Sequence, residues 1–163
     1  MQDSNLLILA ARPGVGKTSL ALNMALHVAL RHKQAVAMFS LEMSKEELVD
    51  RLLVSQADID AWRLKTGRLS PEDSKAVIEA MGELAEAPIF IDDTAGQSVL
   101  EMRSKARKLK SANDIKLIIV DYLQLVHGRK NAESRVQEVT EISQGLKNLA
   151  RELKVPVLAL SQL

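Results

Sequence analysis

The chain has 163 residues, 47% hydrophobic and 26% charged, enough for one domain with a sizeable core. Its formal net charge of +1 gives no overall attraction for nucleic acid, so any such binding must come from local clusters or from repetition around a ring. Without cysteine, disulfides, cysteine-based zinc sites and thiol catalysis are excluded, and with no transmembrane-length apolar run or signal-peptide pattern the expected setting is the cytoplasm.

Leu6-Leu7-Ile8-Leu9-Ala10 reads as a short buried strand, and from Ser19 onward the apolar spacing is that of a helix. Between them lies Ala11-Arg12-Pro13-Gly14-Val15-Gly16-Lys17-Thr18, which is the strand, glycine turn, Lys-Thr and helix order of a phosphate-binding P-loop. The loop from Arg12 through Ser19 is expected to curl around the phosphates at the positive end of the helix dipole, with every residue but Pro13 offering a backbone N–H. Lys17 would supply a point charge for the β and γ oxygens, and the Thr18 hydroxyl is a ligand for Mg²⁺. Ala11 stands where the P-loop pattern usually begins with glycine, and the loop survives this provided that φ at Ala11 is negative.

Four further apolar runs read as strands: Ala35–Leu41, Pro88–Ile91, Lys116–Val120 and Pro156–Leu160. They are nearly continuously hydrophobic, as parallel strands covered on both faces are. Helical patterns lie between them. Ser44 with Glu47, Ser70 with Pro71 and Asp73, and Ser98 with Glu101 are helix-start signals in which a hydroxyl takes an orphan N–H and an acid complements the dipole. Alternating strands and helices predict an α/β fold with a mostly parallel sheet and helices on both faces. Ligands then bind outside the carboxyl ends of the strands.

Chemistry-bearing residues recur at those ends. Glu42, after the second strand, reads equally as a carboxylate that orients an attacking water or as a dipole partner of the helix beginning at Ser44. Asp121 closes the fourth strand, where a carboxylate either organises Mg²⁺ or caps the following loop. Gln162, after the fifth, is a γ-phosphate hydrogen-bonding amide or a solvated side chain.

The basic run Arg103, Lys105, Arg107, Lys108 and Lys110 does not share one helix face and reads as a solvated outer surface more readily than as a DNA tract. Arg129, Lys130 and Arg135, in the polar segment after the Asp121 strand, are candidates for salt-dependent phosphate contacts, with an ordinary surface loop as the alternative. The final helix places Val136, Val139, Ile142, Leu146, Leu149 and Leu153 on one buried face, with Gly145 as a mild weakness. The three histidines have no metal-ligand spacing, Trp62 is read as a packing residue, and Tyr122 is expected beside the sheet edge.

Taken together, Phe39-Ser40-Leu41-Glu42-Met43-Ser44, the Leu117–Leu125 stretch and Leu158-Ala159-Leu160-Ser161-Gln162 behind this P-loop resemble the motor domain of DnaB-type replicative DNA helicases over essentially the whole chain. The resemblance implies a RecA-like core in which Lys17 and Thr18 bind phosphate and Mg²⁺, Glu42 is the catalytic base, Asp121 organises Mg²⁺ and Gln162 senses the γ-phosphate. It implies that Arg51 stacks on the nucleotide base, against the plainer reading of a solvated helix arginine. In such rings the segment holding Arg129, Lys130 and Arg135 projects toward the channel that tracks single-stranded DNA.

The same resemblance implies ATP and Mg²⁺ as cofactors, a homo-hexamer, single-stranded DNA as substrate, and primase and a helicase loader as partners, with no membrane. Residues 1–163 would be one RecA-like domain cut at both ends, lacking an amino-terminal domain, a linker helix and the later region with the arginine finger. Such a piece is expected to bind nucleotide but hydrolyse it poorly. A RecA- or RadA-like recombination ATPase and a KaiC-like ATP-dependent oligomerisation module are the alternatives.

Overall fold

The computed structural model describes residues 1–126 and 135–163. In chain order it contains β1 (Leu6–Ala11), α1 (Lys17–Leu26, continued by a π-helical turn over His27–Arg31), β2 (Val36–Ser40), α2 (Lys45–Ala57), α3 (Ala61–Thr66), α4 (Pro71–Glu86) and β3 (Ile89–Asp92). Then follow α5 (Val99–Asn113), β4 (Leu117–Asp121), a 3-10 turn (Leu123–Leu125), α6 (Arg135–Leu153) and β5 (Val157–Gln162). The strands form one sheet in the order β1-β5-β4-β2-β3, and every neighbouring pair is parallel.

Strand side chains alternate between two apolar layers, which is why the strand sequences are hydrophobic throughout. Val36 and Met38 of β2, Leu117 and Ile119 of β4, and Leu158 and Leu160 of β5 pack with Ala21, Leu22 and Ala25 of α1 and Leu48 and Leu52 of α2. The intervening Ala37, Phe39, Ile118, Val120, Val157 and Ala159 pack on the other face with Met102 and Ala106 of α5 and Ile142, Leu146 and Leu149 of α6. A small third cluster, Leu53, Val77 and Ala80, joins α2 to α4.

All three serine-and-acid start signals form reciprocal capping boxes, at the heads of α2, α4 and α5. Asp60 caps α3, with its carboxylate accepting from the Trp62 and Arg63 N–H groups. These local devices fix where each helix enters its layer.

Several expectations need correction. Val136 is 77% exposed, because the first turn of α6 runs past the core that Ile142, Leu146 and Leu149 fill. Gly145 is a packing requirement: a Cβ there would stand 2.8 Å from Val99 Cγ1, so its hydrogen lets α6 approach α5. Trp62 packs in no core; it is 56% exposed, with the Arg68 guanidinium 5.1 Å from its ring centroid. Tyr122 follows a central strand, not an edge, and packs against the α1-side core.

Four of the five cations in the basic run of α5 are paired within the chain. Arg103 and Arg107 both pair with Glu152 of α6, Lys105 with Asp92 and Lys110 with Asp114. That outcome supports the solvated, structural reading of this face.

Candidate nucleotide site at the strand tips

Register aligns the carboxyl ends of the strands. Ala11 lies opposite Gln162, and Ser40 lies opposite Asp121. Across the sheet the tips therefore present, in order, the loop after β1, Gln162, Asp121 and the turn carrying Glu42. Residues far apart in sequence become neighbours by strand order alone.

The loop after β1 has the backbone expected of a phosphate cradle. Gly14 and Gly16 adopt φ of +76° and +96°, values that disfavour any side chain. No atom lies within 4 Å of where a Cβ at either glycine would stand, so the approach to the loop is open. Ala11 is not among the residues with positive φ, which meets the condition set by its methyl group. The α1 start differs from those of α2, α3, α4 and α5. Its N-cap is Gly16 with no side-chain cap, and its first turn carries no acid. Its leading N–H groups and dipole are left for an anion. Lys17 Nζ donates to the carbonyls of Ala11 (2.8 Å) and Arg12 (3.4 Å), so the ammonium stays at the loop and, among the described residues, forms no ion pair with a carboxylate.

Thr18 and Asp121 meet directly. The Thr18 hydroxyl donates to Asp121 Oδ2 at 2.7 Å, across 103 residues of sequence. Asp121 is 2% exposed. Burial pushes its carboxyl above the ordinary value, while the Thr18 hydrogen bond and the positive charges of Lys17 and Arg51 act the other way. Beyond Asp121 the chain turns away through a cis Asp121–Tyr122 peptide bond. A hydroxyl and a carboxylate are hard oxygen donors suited to Mg²⁺. Among the described residues no group of three or more His, Asp or Glu side chains could hold a metal ion.

Glu42 is exposed at the head of the site. Its turn is closed by Ser40, whose hydroxyl donates to the Met43 carbonyl (2.7 Å) and accepts from the Met43 N–H (3.3 Å). The Leu41 N–H donates to the Asp121 carbonyl at 2.7 Å, tying this turn to β4. Asp93 accepts from the Lys45 N–H at 2.9 Å and so fixes the start of α2 to the tip of β3. Arg51 lines a cleft of about 760 Å³ between α1, α2 and α3, with Ser19, Asn23 and Met43. A larger apolar cleft of about 860 Å³, between α2, α4 and α5 over β2 and β3, includes none of the nucleotide-site residues named from sequence, although Lys105 and Lys108 of the basic run line it.

Arg129 and Lys130 lie outside the described residues, as does His127, and of Arg135 only the backbone at the start of α6 is described. His27 and His32 are exposed, with ring centroids 5.0 Å apart. Sequence reasoning missed Ser40 and Gln124. The Ser40 turn has only a hydroxyl three residues before its partner as a signal, and the contacts of Gln124 span 37 and 38 residues.

The family model for the DnaB-like helicase C-terminal domain matches residues 1–163. The chain belongs to this family. This DnaB-like domain is 52% identical, over 99% of its length, to the replicative DNA helicase DnaB of Geobacillus stearothermophilus, covering 36% of that protein. It is 50% identical to the replicative DNA helicase DnaC of Bacillus subtilis, with the same coverage of 99% and 36%. The chain thus spans about a third of the length of these curated relatives.

A solved ATPase domain superposes with a TM-score of 0.94 at 39% identity, covering 99% of this chain and 58% of that one. A DnaB-like replicative helicase, solved for its interactions with primase, gives 0.94 at 40% identity, covering 99% and 39%. The RecA-like fold is therefore that of DnaB ATPase domains, and the comparisons favour neither a recombination ATPase nor a KaiC-like module. Among the described residues no helix is long and apolar enough to cross a membrane.

Proposed function

We propose that this DnaB-like domain is the ATP-binding and ATP-hydrolysing motor core of a hexameric replicative helicase that moves on single-stranded DNA and unwinds duplex. The observation that carries the reading is the 2.7 Å hydrogen bond between Thr18 and Asp121, formed beside the uncapped head of α1. It brings a P-loop hydroxyl and a strand-tip carboxylate to one point, with Glu42 and Gln162 on the flanking tips.

The residues divide the work. Backbone N–H groups of Arg12 and of Gly14 to Ser19, on a turn shaped by Pro13, hold the phosphates, and Lys17 leaves its two carbonyl acceptors to reach the β and γ oxygens. Thr18 and Asp121 are the residues that would hold Mg²⁺. When bound, this ion neutralises charge developing across the β and γ phosphates. Glu42 orients the attacking water and takes its proton at a carboxylate oxygen. Gln162 hydrogen-bonds the γ-phosphate and registers its departure. Arg51 lies on the cleft beside α1, where its guanidinium reaches the nucleotide base and adds positive charge near Asp121.

In the full-length assembly, Arg129, Lys130 and Arg135 contact the phosphates of single-stranded DNA, and primase and a loader are the protein partners. The 163-residue chain is one domain of that cytoplasmic machine; by itself it binds nucleotide and turns it over slowly. A structure with a bound non-hydrolysable ATP analogue and Mg²⁺ tests the site. The expected result has Lys17 on the β and γ oxygens and Thr18 and Asp121 at the metal. Phosphates bound elsewhere, with Lys17 still on Ala11 and Arg12, would refute it.

A further inference from the structure

β5 outruns its neighbour. Its register with β4 ends at Val120 opposite Ala159, whereas its register with β1 continues to Ala11 opposite Gln162. On the β4 side, the backbone of Gln162 has no strand to pair with. Gln124 takes that place: its Nε2 donates to the Gln162 carbonyl (2.8 Å) and to Ser161 Oγ (3.0 Å), and its Oε1 accepts from the Gln162 N–H at 3.3 Å. A side-chain amide thus continues the ladder, pairing with both backbone groups of one residue as a strand would.

The 3-10 turn carrying Gln124 is firmly seated. Leu123 is 3% exposed and Val126 is 2% exposed, both within the core beneath α6. Gln124 lies three residues after Asp121, the residue bonded to Thr18. Gln162 is consequently gripped from two sides, by β1 leading into the P-loop and by the segment leaving Asp121. Among the described residues its side chain makes no hydrogen bond, and Gln162 is exposed. Water would satisfy its backbone groups if Gln124 were absent, so the clamp is not needed to rescue buried polar atoms. What the clamp supplies is position.

We infer that Gln124 is a positioning residue: it fixes the Gln162 backbone relative to Asp121 and the P-loop, so that the Gln162 side chain pivots from a defined point to meet the γ-phosphate. The inference rests on the ATPase reading and on the role of Gln162 proposed above. A misplacement of about 1 Å in a reacting constellation costs on the order of 10²-fold in rate. A clamp that removes part of this error is worth about tenfold.

The test uses the full-length helicase with single-stranded DNA. It measures kcat and KM for ATP, with the stoichiometry of fluorescent-nucleotide binding as the count of folded sites. Gln124→Met keeps the shape and removes the amide. Gln124→Glu accepts from the Gln162 N–H but repels its carbonyl, and serves if the first variant does not fold. Either is expected to lower kcat about tenfold, with KM within about twofold and unchanged stoichiometry. Combined with Gln162→Ala, either should lower kcat no further than Gln162→Ala alone, because a residue acting through another shows no separate loss.

Additive losses in the double variant, or unchanged kcat in both Gln124 variants, would overturn the inference. Normal turnover in Gln162→Ala would overturn it together with the role of Gln162. If Lys17→Ala lowered nucleotide affinity by about 10²-fold or more, the ATPase reading itself would stand. Normal binding and turnover in Lys17→Ala would remove that reading and the inference with it.

Discussion

Cations at the strand tips and cations on α5 are held in opposite ways. On α5, Arg103 and Arg107 share Glu152, Lys105 pairs with Asp92, and Lys110 with Asp114, so four of the five cations are paired in place. At the P-loop, Lys17 rests on two backbone carbonyls, and the α1 head lacks both cap and acid. The denser cluster is held in ion pairs, and the sparser one is where the proposed chemistry lies. Charge density is therefore a poor guide to function here; what the charge is paired with is a better one.

The sharpest break between the regions is expected from Lys17→Ala. It would remove the proposed charged contact to phosphate and, among the described residues, no ion pair of the fold. ATP affinity should fall about 10²-fold or more by calorimetry, while the urea midpoint stays close to that of the parent. Gly145→Ala should do the reverse. The added methyl meets Val99 Cγ1, and overpacking of this kind costs about 1–3 kcal/mol of stability. Nucleotide affinity per folded molecule should hold. Adding Val99→Ala should restore part of the loss, and its failure to do so would show that the contact is not the cause.

Smaller effects test the pairing on α5. Arg103→Ala with Arg107→Ala should cost under about 1 kcal/mol in denaturant melts, an effect that fades in high salt. Affinity of the full-length protein for single-stranded DNA should not move. A fall in that affinity would turn the face into a DNA tract and dissolve the contrast.

The least effect is expected from Asp114→Asn. Hydrogen bonds from Lys110 and Lys116 hold the Asp114 carboxyl down to about 2, from an ordinary 3.8. A depressed carboxylate stabilises the fold above its unfolded value and loses that contribution as pH falls from about 4 through 2. The variant should thus unfold at slightly lower urea than the parent at pH 6, with the difference vanishing near pH 2. Asparagine tolerates the left-handed φ of +49° at this position, so the charge alone is tested.

The legible parts of this molecule were the local ones. The capping boxes at Ser44, Ser70 and Ser98 each close over three residues, and all three formed. The apolar strands signalled a parallel sheet because both faces are covered, and the P-loop and Asp121 could be placed because each ends a strand. Long-range partners were not legible. Nothing near Gln124 announces Gln162, nothing in α5 announces Glu152, and Gly145 reads as a weak helix residue until Val99 appears against it. Val136 and Trp62 misled for the same reason, since helical spacing and side-chain size do not say where the neighbouring layer stops.

The central claim is that the aligned strand tips form a hydrolytic site with Glu42 as its base. The most direct measurement is ATP binding and turnover by Glu42→Ala in the full-length protein. Nucleotide affinity should be retained, because Glu42 contributes no phosphate contact, and kcat should fall by about 10²–10⁴-fold. Turnover at the parent rate, with binding intact, would contradict the account.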